Sequence, residues 1–397
     1  MDQDSLFTKL NAFKIETPSW GYADTGTRFG KFIQPAAAKT IEEKIEDAAE
    51  VQRVTGACPS MAVHVQWDFP DGCDPSQIAK NASERGIRIG AINPNFFQDQ
   101  IYKFGSVCSP WPDARTHADL HMERCLDVAA QTGSKTLSLW FADGTNYPGQ
   151  DDLIGRKRLL QESLRRWHGQ LEMDMTMLVE YKPFEPAFYH TDIADWGMAY
   201  TFAKHAGPQA KVLVDTGHHF QGVNIEHIVA FLLDEGMLGG FHFNDRKYAD
   251  DDLTLGSIDP YAIFRIFLAI RMAEERHGLD TSKIEYMIDQ SHNLKPKVEA
   301  MIQTVATAQE LFAKACLVDL DDLTSSQIAA DIVEAETCLK SAFFTDVSDV
   351  LRNWRNTHGL APNPIAAHRS SDYMSRISVE RSARRAESGQ SGESSYA

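Results

Sequence analysis

Four short stretches of this chain gather residues able to hold a cation. VEYKPFEP carries Glu180 and Lys182, and VDTGHH carries Asp215, His218 and His219. HFNDRKYADDD carries His242, Asn244, Asp245 and the acid run Asp250, Asp251 and Asp252, and MIDQSHN carries Asp289, Ser291 and His292. Carboxylates and imidazoles without thiolates suit a borderline-hard divalent ion such as Mn2+, Mg2+ or Co2+. Four or more carboxylates brought to one place are too negative to stand without cations. The Asp250/Asp252 pair can close round a second ion with His218 as nitrogen ligand, and two ions sharing one carboxylate is a common arrangement. Taken singly, each group has a blander reading. An acid run is usually a solvated loop, Lys182 could be a structural ion pair, and His64 alone reads as a core histidine.

Something must bring these distant stretches together, and the hydrophobic pattern indicates what. Short, mostly apolar runs rich in β-branched residues occur at 62–67, 87–93, 135–140, 176–181, 211–216, 239–245 and 283–289, with a weaker eighth, AFKIE, at 12–16. Such runs read as buried parallel strands. Between them, apolar spacing predicts helices near 39–56, 75–85, 116–132, 153–172, 192–206, 225–235, 260–277 and 296–315. Strict alternation predicts a parallel sheet, and eight units predict an α/β fold of the (β/α)8 TIM-barrel type. A doubly wound open sheet is the competitor, but no GxGxxG follows any strand to support a nucleotide-binding version. In a barrel of this kind the active site lies at the C-terminal ends of the strands. His64, Asn93, Trp140, Glu180, Asp215, His242 and Asp289 all stand at or near such ends. Residues 1–316 form the expected barrel and 317–368 a helical extension suited to contacts between copies, with one or two helices over 319–355. The Ser/Arg-rich stretch 369–397 is expected to be disordered or pinned only by a partner.

Composition narrows the function classes. Lys plus Arg number 39 against 56 Asp plus Glu, a net charge of −17. That balance argues against nucleic-acid binding, which depends on cationic side chains, and favours attraction of cations. No eighteen-residue apolar window predicts a membrane span, and MDQDSLFTKLNAFKIE is too acidic for a signal peptide. Cys58, Cys73, Cys108, Cys125, Cys316 and Cys338 are scattered with no CxxC pair, and so are expected as free thiols in a reducing cytoplasm.

Taken jointly, in this order and spacing, the four stretches resemble the metal-binding segments of the L-rhamnose isomerase family, within the xylose isomerase-like barrel superfamily. The likeness covers roughly residues 13–360 and is nearest the bacterial branch with broad aldose–ketose specificity. The resemblance implies two divalent ions per subunit, Mn2+ first, with Mg2+, Co2+ or Zn2+ as substitutes. Glu180, Asp215, His242 and Asp289 match the ligands of the ion that binds sugar oxygens, with Asp215 as the bridge. His218, Asp250 and Asp252 match the remaining ligands of the second ion. His64, Lys182 and Asp289 match the catalytic set: Lys182 contacts a substrate oxygen near the reacting carbons, and His64 assists ring opening. Trp20, Trp67, Trp140 and Ser291 fall where the family lines its sugar pocket. Phe29, in GTRFGKF, resembles an aromatic that reaches into a neighbouring subunit, which implies a homotetramer. The implied reaction is a metal-assisted hydride shift between C1 and C2, with an enediol route as the competing chemistry. A sugar epimerase, another divalent-metal barrel enzyme or a non-catalytic sugar-binding barrel are the alternatives.

Overall fold

The computed structural model describes residues 2–27, 30–185, 189–248 and 250–387. Eight parallel strands close into a barrel in chain order: β1 (Glu16–Pro18), β2 (Ser60–His64), β3 (Arg88–Asn93), β4 (Thr136–Leu139), β5 (Thr176–Glu180), β6 (Ala210–Asp215), β7 (Leu238–Phe243) and β8 (Glu285–Ile288). Because β1 pairs with both β2 and β8, the sheet has no edge, which makes this the expected (β/α)8 barrel and excludes the open sheet. Crossover helices surround it: α1 (Ile41–Thr55), α2 (Pro75–Glu84), α3 (Pro112–Thr132), α4 (Leu153–His168), α5 (Trp196–Ala206), α6 (Ile225–Asp234), α7 (Pro260–His277) and α8 (Lys297–Cys316). Thr40, Asp74, Asp152, Asp195, Asn224 and Asp259 cap the first turns of six of them with side-chain oxygens. The first strand begins where the expected one ends. Phe13 and Ile15 of AFKIE belong instead to the core between barrel and helices, where Phe13 stacks on Phe312.

Two apolar layers hold the barrel. The larger lies between strands and helices. The smaller fills the barrel itself and contains Ala62, Ala91, Leu178, Leu213 and Met287. Side chains two apart on a strand share a face. His64, Asn93, Glu180, Asp215 and Asp289 therefore follow those five residues one layer higher, at the barrel mouth. Below the apolar layer, the Glu16 carboxylate accepts a hydrogen bond from Ala91 N (2.7 Å). A Cβ on Gly90 would stand 1.6 Å from its Oε2, so the glycine leaves the room that this carboxyl occupies. Burial pushes the Glu16 carboxyl up to about 7.

The termini depart from expectation. Residues 3–12 form a helix, Gln3–Ala12, capped by Asp2, whose Leu6 and Leu10 pack with Ala313 and Trp354. The stretch expected to hold one or two helices holds three: Leu320–Ile328, Ile332–Phe344 and Ser348–Thr357. The largest correction is to the Ser/Arg-rich stretch 369–397: a helix Pro364–Ser370 runs into its start and a second, Tyr373–Glu387, follows, while residues 388–397 lie outside the described residues. The buried face of the second helix is Tyr373, Ile377 and Arg381, spaced one turn apart. Arg381 pairs with buried Asp47 (2.8 Å) and Arg384 with Glu43 (2.7 Å), while His368 meets Glu50 (2.7 Å), all on α1. Ion pairs to an acidic helix accompany the few buried apolar side chains of this segment, Tyr373 and Ile377, so hydrophobic periodicity did not reveal it. All six cysteines are free thiols.

Candidate metal centre

The strand register brings the acids together. Asp215 of β6 lies opposite His242 of β7, and Phe243 lies opposite Ile288, next to Asp289. Glu180 ends β5, paired with Leu213 of β6. Donor atoms of Glu180, Asp215, His242 and Asp289 consequently fall within 4.8 Å of one another. His242 Nδ1 stands 3.3 Å from Glu180 Oε2, 3.9 Å from Asp215 Oδ2 and 3.8 Å from Asp289 Oδ2.

A second group adjoins the first. His218 Nε2 is 2.8 Å from Asp250 Oδ1 and 3.9 Å from Asp215 Oδ2, and its Nδ1 is 2.9 Å from the Tyr181 carbonyl. Asp250 and Asp252 both adopt positive φ, 54° and 46°, a conformation uncommon for a residue with a Cβ. Asp252 lines a cavity together with Glu180, His218, His242 and Asp250, while its carbonyl faces His292 Nε2 (2.9 Å). Asp251, for which the sequence suggested no role, accepts from Lys247 N and Tyr248 N and so ties the loop together. Lys182 is buried, pairs with Glu185 Oε2 (2.7 Å) and Asp250 Oδ2, and lies 5.2 Å from the Trp140 ring centroid.

Burial and mutual proximity shift the protonation of these groups. Burial pushes the Asp215 carboxyl up to about 7, assisted by Glu180 and Asp289. Burial, then Asp250 and Asp289, pushes Asp252 far above the carboxylate range. Burial opposes charge on His242, yet Glu180, Asp289 and Asp215 together outweigh it and hold the imidazole at about 9. Burial likewise opposes charge on Lys182, and Asp250 and Glu185 hold it firmly as an ammonium. The donor set fits a divalent cation on a further ground. His242 is 3 % exposed, and neither of its ring nitrogens makes a hydrogen bond among the described residues. A buried polar atom left in that state is costly, and a metal ion would satisfy it.

Over these acids lies a cavity of about 200 Å3 with one polar and one aromatic side. Trp20, Trp67, Trp140 and Phe97 form the aromatic side, with His64 against Trp20 and Trp67 at centroid distances of 4.7 and 4.2 Å. Trp20 Nε1 donates to Asp289 Oδ1 (2.7 Å), joining the two sides. Burial pushes His64 down to about 3, so its imidazole is neutral. Ser291 does not line this cavity; its hydroxyl donates to the Trp20 carbonyl (3.2 Å). Phe29 lies outside the described residues. Sequence reasoning missed Phe97 and Ser138 in the lining, and Glu185 as partner of Lys182. Ser138 lies two positions before Trp140 and could have been found by strand alternation. Phe97 lies on a loop, and nothing in its spacing marks it.

Comparison with known proteins places this geometry in context. Residues 47–280 match the family described as xylose isomerase-like TIM barrel. A curated protein named "probable sugar isomerase" from Rhizobium meliloti is 38% identical over 390 residues, spanning 96% of this chain and 90% of its own length. A second protein so named, from Mesorhizobium japonicum, is 37% identical over 385 residues, spanning 96% of this chain and 89% of its own. Among solved structures, a 3-keto-D-glucoside 4-epimerase from E. coli superposes with a TM-score of 0.52 at 14% identity, covering 75% of this chain and 99% of that one, a likeness of fold alone.

Proposed function

This chain belongs to the xylose isomerase-like TIM barrel family, and from that premise we propose that it is a divalent-metal-dependent aldose–ketose isomerase, with L-rhamnose and L-rhamnulose as the leading pair. The observation that carries this reading is the position of Asp215. Its Oδ2 lies 3.9 Å from both His242 and His218, between two donor groups, as a carboxylate bridging two ions must. Glu180, His242 and Asp289 would complete one ion's shell, and His218, Asp250 and Asp252 the other's, with Mn2+ the preferred ion. A C3 epimerase needs only one ion between opposed acids, so provision for two favours isomerisation.

Isomerisation moves a hydrogen between C1 and C2 and a proton between O1 and O2, and needs no nicotinamide because the hydrogen stays on the substrate. Bound divalent ions would polarise the sugar oxygens and offset charge developing on them. The Lys182 ammonium, aimed between Asp250 and Trp140, is placed to hold a sugar oxygen. The aromatic side packs against sugar C–H faces and excludes water. Neutral His64 offers a ring nitrogen to the ring oxygen of a closed sugar.

The proposal extends to a homotetramer in which Phe29 enters a neighbour's pocket, with the 317–368 extension contributing to subunit contacts, and to a cytoplasmic setting, which the six free thiols support. Among the described residues no helix is long and apolar enough to cross a membrane. The test is metal-stripped protein titrated with Mn2+ and assayed for ketose formation from an aldose panel including L-rhamnose. Metal-dependent ketose with the substrate hydrogen retained is expected. Two bound ions without ketose from any aldose would move the function to epimerisation, hydrolysis or binding.

A further inference from the structure

Asp215 can bridge only if its carboxylate is held in one orientation, and the structure contains a device for that. Asp215 is fully buried. Its Oδ1 accepts from Gly217 N (2.6 Å), which turns that oxygen away from the histidines. Asn244 Nδ2 then lies 3.1 Å from Oδ1 and 3.2 Å from Oδ2, straddling the carboxylate and fixing its plane. Asn244 is itself fully buried and rigidly set. Its backbone N donates to Thr216 Oγ1 (3.0 Å), and its carbonyl accepts from that same hydroxyl (2.8 Å). Arg246, two residues on, donates to the carbonyls of Thr216 (2.9 Å) and Phe220 (3.0 Å) and so brackets the loop that carries His218. The amide also explains a glycine. A Cβ on Gly217 would meet Asn244 Oδ1 at 2.5 Å, so the TGHH turn is open there to admit it.

We propose that Asn244 is a positioning residue that locks the Asp215 carboxylate with Oδ2 directed between His242 and His218, and thereby sets the affinity for the second of two divalent ions. This rests on the metal-centre reading above. Asn244 is not among the residues that line the cavity above the acids; it acts through Asp215. Groups that orient metal ligands in this way typically change metal affinity by about 10- to 100-fold when removed.

The experiment uses metal-stripped full-length protein titrated with Mn2+, with free ion read by its electron paramagnetic resonance signal and bound ion by calorimetry. Wild type, Asn244→Ala, the isosteric Asn244→Asp and Thr216→Val are compared, with thermal melts of each metal-free chain as the fold control. Both Asn244 variants are expected to keep one tight equivalent and to bind the second about 10- to 100-fold more weakly. Thr216→Val removes the backbone brace but leaves the amide on the carboxylate, and should keep the second equivalent within a few-fold of wild type. Two wild-type equivalents in either folded Asn244 variant would overturn the positioning role. So would equal loss in Thr216→Val, or loss of the metal-free fold in both Asn244 variants, since the amide would then be a structural tie. If wild type itself binds no divalent ion, it is the metal-centre reading that fails, and the positioning role falls with it.

Discussion

Exchanging Asp215 for asparagine separates a bridging carboxylate from an ordinary ligand. Asparagine keeps the size of the side chain and the oxygen that accepts from Gly217 N; it replaces the charged Oδ2, which both histidines face at 3.9 Å and to which Asn244 Nδ2 donates, by an amide nitrogen. An ion that binds only the native state at a hundredfold over its Kd stabilises that state by about 2.7 kcal/mol. A chain of 397 residues unfolds with an entropy of about 0.8 kcal/mol per K, so each ion raises the melting temperature by about 3 °C. Wild type is thus expected to gain about 6 °C with saturating Mn2+ when both sites fill. Asp250→Asn alters a residue that pairs with His218 and Lys182, and should retain about 3 °C, one ion's worth. Asp215→Asn should lose nearly all of the gain, and both variants should lose ketose formation. The assay is differential scanning calorimetry of stripped protein with increasing Mn2+. An Asp215→Asn curve matching that of Asp250→Asn would refute the bridge, and a wild type indifferent to Mn2+ would refute the centre.

Three further outcomes are expected. The Glu16 carboxyl is raised from 4.5 to about 7 by burial; the folded chain therefore keeps a proton that the unfolded chain gives up, and stability falls as pH rises from 4.5 to 7. Glu16→Gln should flatten that slope, a relative gain of about 3 kcal/mol above pH 7 by denaturant unfolding in chelator, and parallel slopes for the two proteins would dismiss the buried acid as its source. His64→Asn should slow turnover of ring-closed aldose by about 10²-fold while leaving Mn2+ affinity unchanged, as for loss of a proton-handling group; weakened metal binding to the same degree would point to a structural histidine. Arg381→Met leaves Asp47 buried without its ion-pair partner and should cost about 3–5 kcal/mol of stability, whereas a change under about 1 kcal/mol, as for an exposed pair, would mean that the C-terminal helix docks without that pair.

The barrel was legible in the sequence because its signals are local. A buried parallel strand is apolar along its length whatever it packs against, and a helix face repeats every turn, so seven strands and all eight crossover helices could be read without knowing their neighbours. The cluster of acids and histidines was legible for a related reason: polar groups at the ends of apolar strands have one common destination once the strands close into a ring. Their roles came from joint likeness to one family, and their juxtaposition only from the register that sets Asp215 beside His242. What remained for the tertiary structure lacks a local period. Asn244 looks like any polar residue after a strand until Asp215 is found against its amide. Ser291 has the spacing of a pocket residue, yet its hydroxyl is taken by the Trp20 carbonyl. The helix at Tyr373–Glu387 has too little apolar surface to declare itself, because its buried face is completed by an arginine whose carboxylate lies more than three hundred residues earlier on α1. Periodicity reports how much a segment needs burial; only the folded chain determines which charge answers which.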